Sequence, residues 1–73
     1  HKSARYNLAH NYILLKDYKN SLKSINSLLK TEPTVAVYKM RAYCYEKLKD
    51  YRKSNNDYKV CITILEKNLK NEN

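Results

Sequence analysis

Few side chains in this sequence have a type and spacing suited to catalysis. His10 is the only histidine beyond the first residue, and no Ser/His/Asp or Cys/His arrangement surrounds it. Cys44 and Cys61 belong to no Cys-x-x-Cys or Cys/His cluster, so we expect two small apolar residues packed in helices and no zinc site. The chain contains no glycine from which to build a phosphate loop. The residues therefore predict no enzyme, no catalytic residue, no metal and no cofactor.

The charge of the chain is strongly positive, with 15 Lys and Arg against 7 Asp and Glu and a net charge of +8. Such an excess makes acidic proteins, nucleic acid and anionic membranes candidate partners. The lysines occur singly at helical spacing, which is typical of a solvated helix surface. No uncharged run approaches the ~18 residues of a membrane span, and no signal segment is visible. We expect a piece of a longer intracellular, cytoplasmic protein whose partner is an acidic protein or peptide.

One stretch of the chain returns after 33 residues. Residues 15–21 read Leu-Lys-Asp-Tyr-Lys-Asn-Ser, and residues 48–54 read Leu-Lys-Asp-Tyr-Arg-Lys-Ser. The same offset pairs Ala9 with Ala42. Self-similarity at this period is typical of stacked supersecondary units, which present extended surfaces to partners. The repeat therefore favours binding over catalysis.

The apolar spacing predicts four helices and no strands. Asp17, Thr34 and Asp50 stand where the second, third and fourth helices need N-caps. Pro33 ends the second helix, because the residue before a proline is displaced from the helical region. Connections of two or three residues make successive helices antiparallel. The predicted fold is all-α, with two tandem antiparallel helical hairpins.

Apolar stripes predict which side of each helix is buried. The predicted stripe of the first helix is Ala4, Leu8, Tyr12 and Leu15, and that of the second is Tyr18, Leu22, Ile25, Leu28 and Leu29. On the last helix the stripe is Tyr51, Tyr58, Cys61, Ile62, Leu65 and Leu69. Because this helix runs beyond its counterpart, we expect it to cap the array or to lead into a further helix.

These residues resemble the tetratricopeptide repeat (TPR) family, whose unit is a 34-residue helical hairpin. The first unit supplies Leu8-Ala9, Tyr12, Asp17-Tyr18, Ser21, Ile25, Leu28 and Pro33, and the second supplies Ala42, Tyr45, Asp50-Tyr51, Ser54, Tyr58 and Cys61. Small residues allow two helix backbones to approach closely at Ala9 and Ser21. The chain departs from the pattern at Lys16 and Lys49, where glycine is usual, and at Arg41, where leucine is usual.

The resemblance predicts one TPR domain over residues 1–73. Repeat one covers about residues 3–33, repeat two about 34–66, and a C-terminal helix extension about 67–73. The family implies a protein-interaction module, an adaptor or scaffold that binds a peptide or partner helix in a groove lined by the first helix of each repeat. The positions of this chain that match the groove are Tyr6, Asn7, His10, Ile13, Lys39, Met40, Tyr43 and Glu46.

Three alternatives to this interpretation remain. Co-chaperone members of the family bind acidic C-terminal tails of heat-shock chaperones through a clamp of Lys, Asn and Arg; Asn7 matches the Asn, but Ala36 and Met40 stand where Lys and Arg are expected. RNA binding would use the positive charge, although the tyrosines map to packing between helices. Self-association would use exposed apolar ends that include Val60, Ile64 and Leu69.

Overall fold

The computed structural model describes residues 4–71 of the chain. Four helices follow one another: α1 (Ala4–Leu14), α2 (Tyr18–Leu29), α3 (Val35–Lys47) and α4 (Tyr51–Asn71). Helices α1 and α2 pack together as one hairpin, α3 and α4 pack as the next, and α3 also lies against α2. The predicted all-α fold of two helical hairpins is confirmed. The ends of the predicted domain, residues 1–3 and 72–73, lie outside the described residues.

The three predicted N-caps are confirmed. Asp17 accepts a hydrogen bond from the backbone N–H of Asn20 at 3.3 Å, and Thr34 Oγ1 accepts from Val37 at 3.4 Å. Asp50 accepts from Lys53 at 3.4 Å. Each bond satisfies an N–H that the first helical turn leaves without a partner. The link between α2 and α3 spans residues 30–34, so it is longer than predicted.

The turn inside each hairpin has a lysine in the left-handed region. Lys16 has φ 62° and Lys49 has φ 65°. Behind Lys16, the N–H of Asp17 bonds to the carbonyl of Tyr12 at 2.8 Å, and the same bond runs from Asp50 to Tyr45 at 2.9 Å. This pattern closes a helix C-terminus and usually uses glycine at the left-handed position. The missing glycines therefore leave a conformational cost in both turns.

The two helices of each hairpin touch where the sequence has a small residue on each. Ser21 Oγ donates to the carbonyl oxygen of Ala9 at 2.8 Å, and Ser54 Oγ donates to that of Ala42 at 3.0 Å. All four residues are buried. The prediction of close backbone approach is thus confirmed, and the structure adds a hydrogen bond between the helices that ties each hairpin.

The core lies between the two hairpins. Its buried residues come from α1, α2 and α3: Ala9, Ile25, Leu28, Val37, Met40 and Cys44. The predicted stripe of α2 is confirmed, because Ile25 and Leu28 are fully buried and Tyr18, Leu22 and Leu29 pack against the core.

The predicted stripes of α1 and α4 are largely wrong. On α1, Ala9 is the buried residue, whereas Leu8 and Leu15 are exposed. On α4, helix α3 covers the face that holds Ser54, Asp57 and Cys61. The other predicted side chains of that stripe are not buried: Tyr58 is half-buried, and Tyr51, Ile62, Leu65 and Leu69 are exposed. Periodicity located an apolar side of α4, but no described helix packs on it.

Candidate peptide-binding face

Helix α1 contributes four of the predicted groove residues. Asn7 and His10 are exposed, whereas Tyr6 and Ile13 are half-buried and pack against the core. The amide of Asn7 offers both a donor and an acceptor to a peptide backbone. Helix α1 therefore presents two exposed polar side chains beside two side chains that pack on the core.

Helix α3 contributes an aromatic side chain that is exposed and also fixed in place. Tyr43 is 39% exposed, and its ring meets that of Tyr18 edge-to-face with centroids 6.3 Å apart. Lys47 Nζ lies 5.4 Å from the centroid of the Tyr43 ring, within range of a cation–π contact. Because two neighbours hold the ring, a ligand that packs on it would lose little further side-chain entropy.

The charged residues of this face have different surroundings. Lys39 and Glu46 are both exposed. Glu46 accepts a hydrogen bond at 3.3 Å from the hydroxyl of Tyr58, a bond that links α3 to α4. Burial and the neighbouring Glu46 carboxylate raise the pKa of Tyr58, so the hydroxyl remains a donor at neutral pH. Within residues 4–71 Lys39 forms no ion pair, so its ammonium group is available to a carboxylate of a partner.

The remaining predicted residue, Met40, lies in the core. Its side chain is 8% exposed and belongs to the same buried cluster as Ile25 and Leu28. The reason is that α2 packs against α3, whereas its counterpart Asn7 lies on a face of α1 that no described helix covers. Little of the Met40 side chain is therefore exposed for a ligand to contact.

An ion pair that the sequence patterns do not predict organises the opposite side of α3. Arg41 Nε donates to Asp57 Oδ2 at 2.9 Å, and Nη2 donates to Oδ1 at 2.8 Å. Its Nη1 donates to Asn26 Oδ1 at 2.9 Å, so one side chain joins α2, α3 and α4. The hydrogen bond to Asp57 raises the pKa of Arg41 despite the opposing effect of burial. The available signal was that Arg41 and Asp57 both depart from their counterparts Leu8 and Ser24.

Residues 3–34 match the tetratricopeptide repeat family. Residues 3–34 are a tetratricopeptide repeat. The matched residues cover α1, α2 and their turn, and the predicted TPR-type fold is confirmed. The second hairpin, outside the match, has the same turn geometry and the same Ser–Ala hydrogen bond as this TPR unit. No curated protein matches the chain, and no solved structure matches it.

The clamp that TPR co-chaperones use for acidic tails requires cations at two positions of the second hairpin. The structure places Ala36 on the surface and Met40 in the core. Neither can pair with a carboxylate, and Asn7 is the single matching member of the clamp. The geometry of the second hairpin therefore gives no support to the chaperone-tail alternative.

The thiols of the chain are buried and unpaired. Cys44 donates to Ser21 Oγ at 3.5 Å, and Cys61 Sγ lies 3.6 Å from the carbonyl of Val35. Burial raises the pKa of both thiols, which disfavours the nucleophilic thiolate. Within residues 4–71, no three His, Cys, Asp or Glu residues are grouped to hold a metal ion. In the same range, no helix combines the length and apolarity that crossing a membrane requires.

Proposed function

We propose that this chain binds an extended peptide or a partner helix along the face formed by α1 and α3. A general role in protein interaction follows from the tetratricopeptide repeat itself, which is a protein-interaction repeat. The proposal adds where the partner lies. Five predicted groove residues support it by being exposed on these two helices: Asn7, His10, Lys39, Tyr43 and Glu46.

The proposal rests on Tyr43, whose ring is held in place and remains partly exposed. Tyrosines that dominate binding energy are large, have a polar end and are held rigid before the partner arrives. Tyr43 meets these conditions, because Tyr18 and Lys47 hold its ring and over a third of the residue stays exposed. Lys39 lies one helical turn before it on α3, at the spacing that places both side chains on one face. A partner with an aromatic or aliphatic side chain beside a carboxylate would suit this pair.

Selection of random peptides displayed on phage, with the purified chain as bait, tests the proposal. Peptides that bind the native chain are re-measured against Tyr43→Ala and Lys39→Ala. We expect the Tyr43 variant to weaken most of them at least about tenfold, as loss of a hot-spot residue does. Lys19→Ala and Lys23→Ala change exposed residues of α2 and serve as controls. Selected peptides that bind both α3 variants as well as the native chain would overturn the proposal.

A further inference from the structure

Two clefts lie side by side along α4, and neither includes a residue of the α1–α3 face proposed above. One, of about 620 Å³, is lined by α3 and by the first half of α4, and it includes Arg52 and Lys59. The second, of about 430 Å³, is lined by Pro33, by Tyr38 of α3 and by α4 as far as Lys67. Asn56 and Lys59 line both clefts, which therefore adjoin each other. We call the two adjoining clefts the α4 channel.

The α4 channel follows one face of the helix. Its residues Arg52, Asn56, Lys59, Thr63 and Lys67 are spaced by three or four positions, which places them on one side of α4. From Arg52 to Lys67 the helix rises about 22 Å, which equals about seven residues of extended peptide. The channel is thus long enough for a short extended segment.

The charge of the α4 channel is strongly positive. Its lining holds five cations, Arg41, Arg52, Lys53, Lys59 and Lys67, against one carboxylate, Asp57. That carboxylate is already bound by Arg41 through two hydrogen bonds, and its side chain is 2% exposed. Lys53 has a carboxylate 3.8 Å away in Asp50. Arg52, Lys59 and Lys67 therefore supply the positive charge available to a ligand.

The chemistry of the channel changes along its length. The half near Arg52 is polar, with the amides of Asn55 and Asn56 beside the cations. The half near Lys67 adds the half-buried apolar side chains of Val60 and Ile64. The three cations are seven and eight residues apart, which is about 11 Å along the helix. A peptide in the extended polyproline II conformation advances about 9 Å per turn of three residues, so carboxylates at every third position lie on one side of it and would meet successive cations.

The aromatic residues at the channel favour a peptide over nucleic acid. Single-stranded nucleic acid is held largely by bases stacked on exposed aromatic rings. Here the guanidinium of Arg41 lies 5.6 Å from the Tyr38 ring centroid and 5.9 Å from that of Tyr45. Lys53 Nζ lies 5.5 Å from the Tyr45 centroid. Cationic side chains thus already lie over both rings, which reduces the aromatic surface that the two tyrosines offer to bases.

The first hairpin shows that stacking another helix on α4 would leave this channel open. The channel residues Asn56, Lys59 and Val60 correspond to Lys23, Asn26 and Ser27 on α2. Those counterparts are exposed although α3 packs against α2. Of the three, Asn26 accepts a hydrogen bond from Arg41 of α3, so the channel lies at the edge of the side of α4 that is equivalent to the α2–α3 interface. The channel shares no residue with the face of α1 and α3.

We propose that the α4 channel binds an extended acidic peptide segment, with carboxylates at every third residue and an apolar side chain between the last two. Arg52, Lys59 and Lys67 pair with the carboxylates, and Val60 and Ile64 receive the apolar side chain. This site is independent of the face proposed above, because the two share no residue.

Fluorescence anisotropy with a labelled heptapeptide tests this proposal. The probe has Glu at its first, fourth and seventh positions, Leu at its fifth and Ser elsewhere. The channel variant Arg52→Gln/Lys59→Gln/Lys67→Gln is compared with Lys19→Gln/Lys23→Gln/Lys30→Gln, which removes the same charge from exposed positions of the first hairpin and of the residue that follows it. We expect the channel variant to weaken binding at least about fivefold, since three exposed ion pairs are lost. The control should change binding by less than about twofold.

Four outcomes would overturn the proposal. The first is that the native chain fails to bind the probe, and the second is that both triple variants lose affinity equally, which would indicate attraction by net charge alone. The third is that a peptide with Gln in place of Glu binds as tightly as the probe. The fourth is that a ten-nucleotide uridine RNA binds more tightly than the peptide. Far-UV circular dichroism checks that the variants remain helical. If the triple channel variant unfolds, the single variants Lys59→Gln and Lys23→Gln provide the same comparison.

Discussion

Arg41 and Asp57 form a two-point ion pair, at 2.9 and 2.8 Å, in the second hairpin, where the first hairpin has Leu8 and Ser24. One hairpin thus uses charge where the other uses an apolar and a small polar residue. The two side chains differ in exposure: that of Arg41 is 23% exposed, whereas that of Asp57 is 2% exposed. Asp57 is therefore the residue that depends most on its partner.

The first prediction concerns this pair. Arg41→Leu alone should lower the free energy of unfolding by about 3 kcal/mol, because it leaves a buried carboxylate without its partner. The double variant Arg41→Leu/Asp57→Ser recreates the first hairpin's combination and should recover most of that loss, since no charge remains buried. Urea unfolding followed by circular dichroism measures both. A double variant no more stable than Arg41→Leu would contradict the account.

The second prediction concerns the left-handed lysines. Lys16→Gly and Lys49→Gly should each stabilise the chain by about 0.5–1 kcal/mol, because glycine adopts positive φ without a clash and part of that gain is offset in the unfolded state. Lys23→Gly, at an exposed position in the middle of α2, is the matched control and should destabilise by about 1 kcal/mol. Thermal or urea unfolding distinguishes these signs. A loss of stability in either turn variant would show that the turn does not carry the inferred strain.

The third prediction concerns the Ser–Ala contacts. Ser21→Ala should cost about 1 kcal/mol, because one hydrogen bond between helices is lost while the volume barely changes. Ser21→Val should cost more, about 2–3 kcal/mol, because extra methyl groups would force the Ala9 backbone away. Ser54→Ala and Ser54→Val should reproduce the same order in the second hairpin. If valine is tolerated as well as alanine, the close approach of the two backbones is not what requires the serine.

Local patterns predicted the parts of the fold that are decided within a few residues. Asp17 and Thr34 were identified as caps because a cap acts on an N–H only three residues away. Met40 illustrates what local patterns miss: the repeat alignment paired it with the exposed Asn7, but its burial depends on α2 packing against α3. Arg41 was noted as a departure without its partner, because 16 residues separate it from Asp57. The partner of the groove and the location of the chain in a cell stay predictions.

The fourth prediction concerns pH. Burial raises the folded-state pKa of Cys44, so the unfolded thiol ionises first as pH rises. The neutral thiol therefore contributes stability that is complete below its unfolded pKa and is lost as the pH rises through the folded pKa. We expect the free energy of unfolding of the native chain to fall more steeply than that of Cys44→Ala above about pH 8.5. Urea unfolding at a series of pH values measures this difference, and parallel curves for the two chains would exclude it.

The central claim is that the face formed by α1 and α3 receives the partner. Two-dimensional NMR of the ¹⁵N-labelled chain, titrated with a peptide obtained from the phage selection, tests it most directly. We expect the largest shift changes at backbone amides near Asn7, His10, Lys39 and Tyr43, with little change along α2 beyond Tyr18, whose ring meets that of Tyr43. Shift changes confined to α2 and to the α4 residues of the α4 channel, with the amides of α1 and α3 unchanged, would contradict the claim.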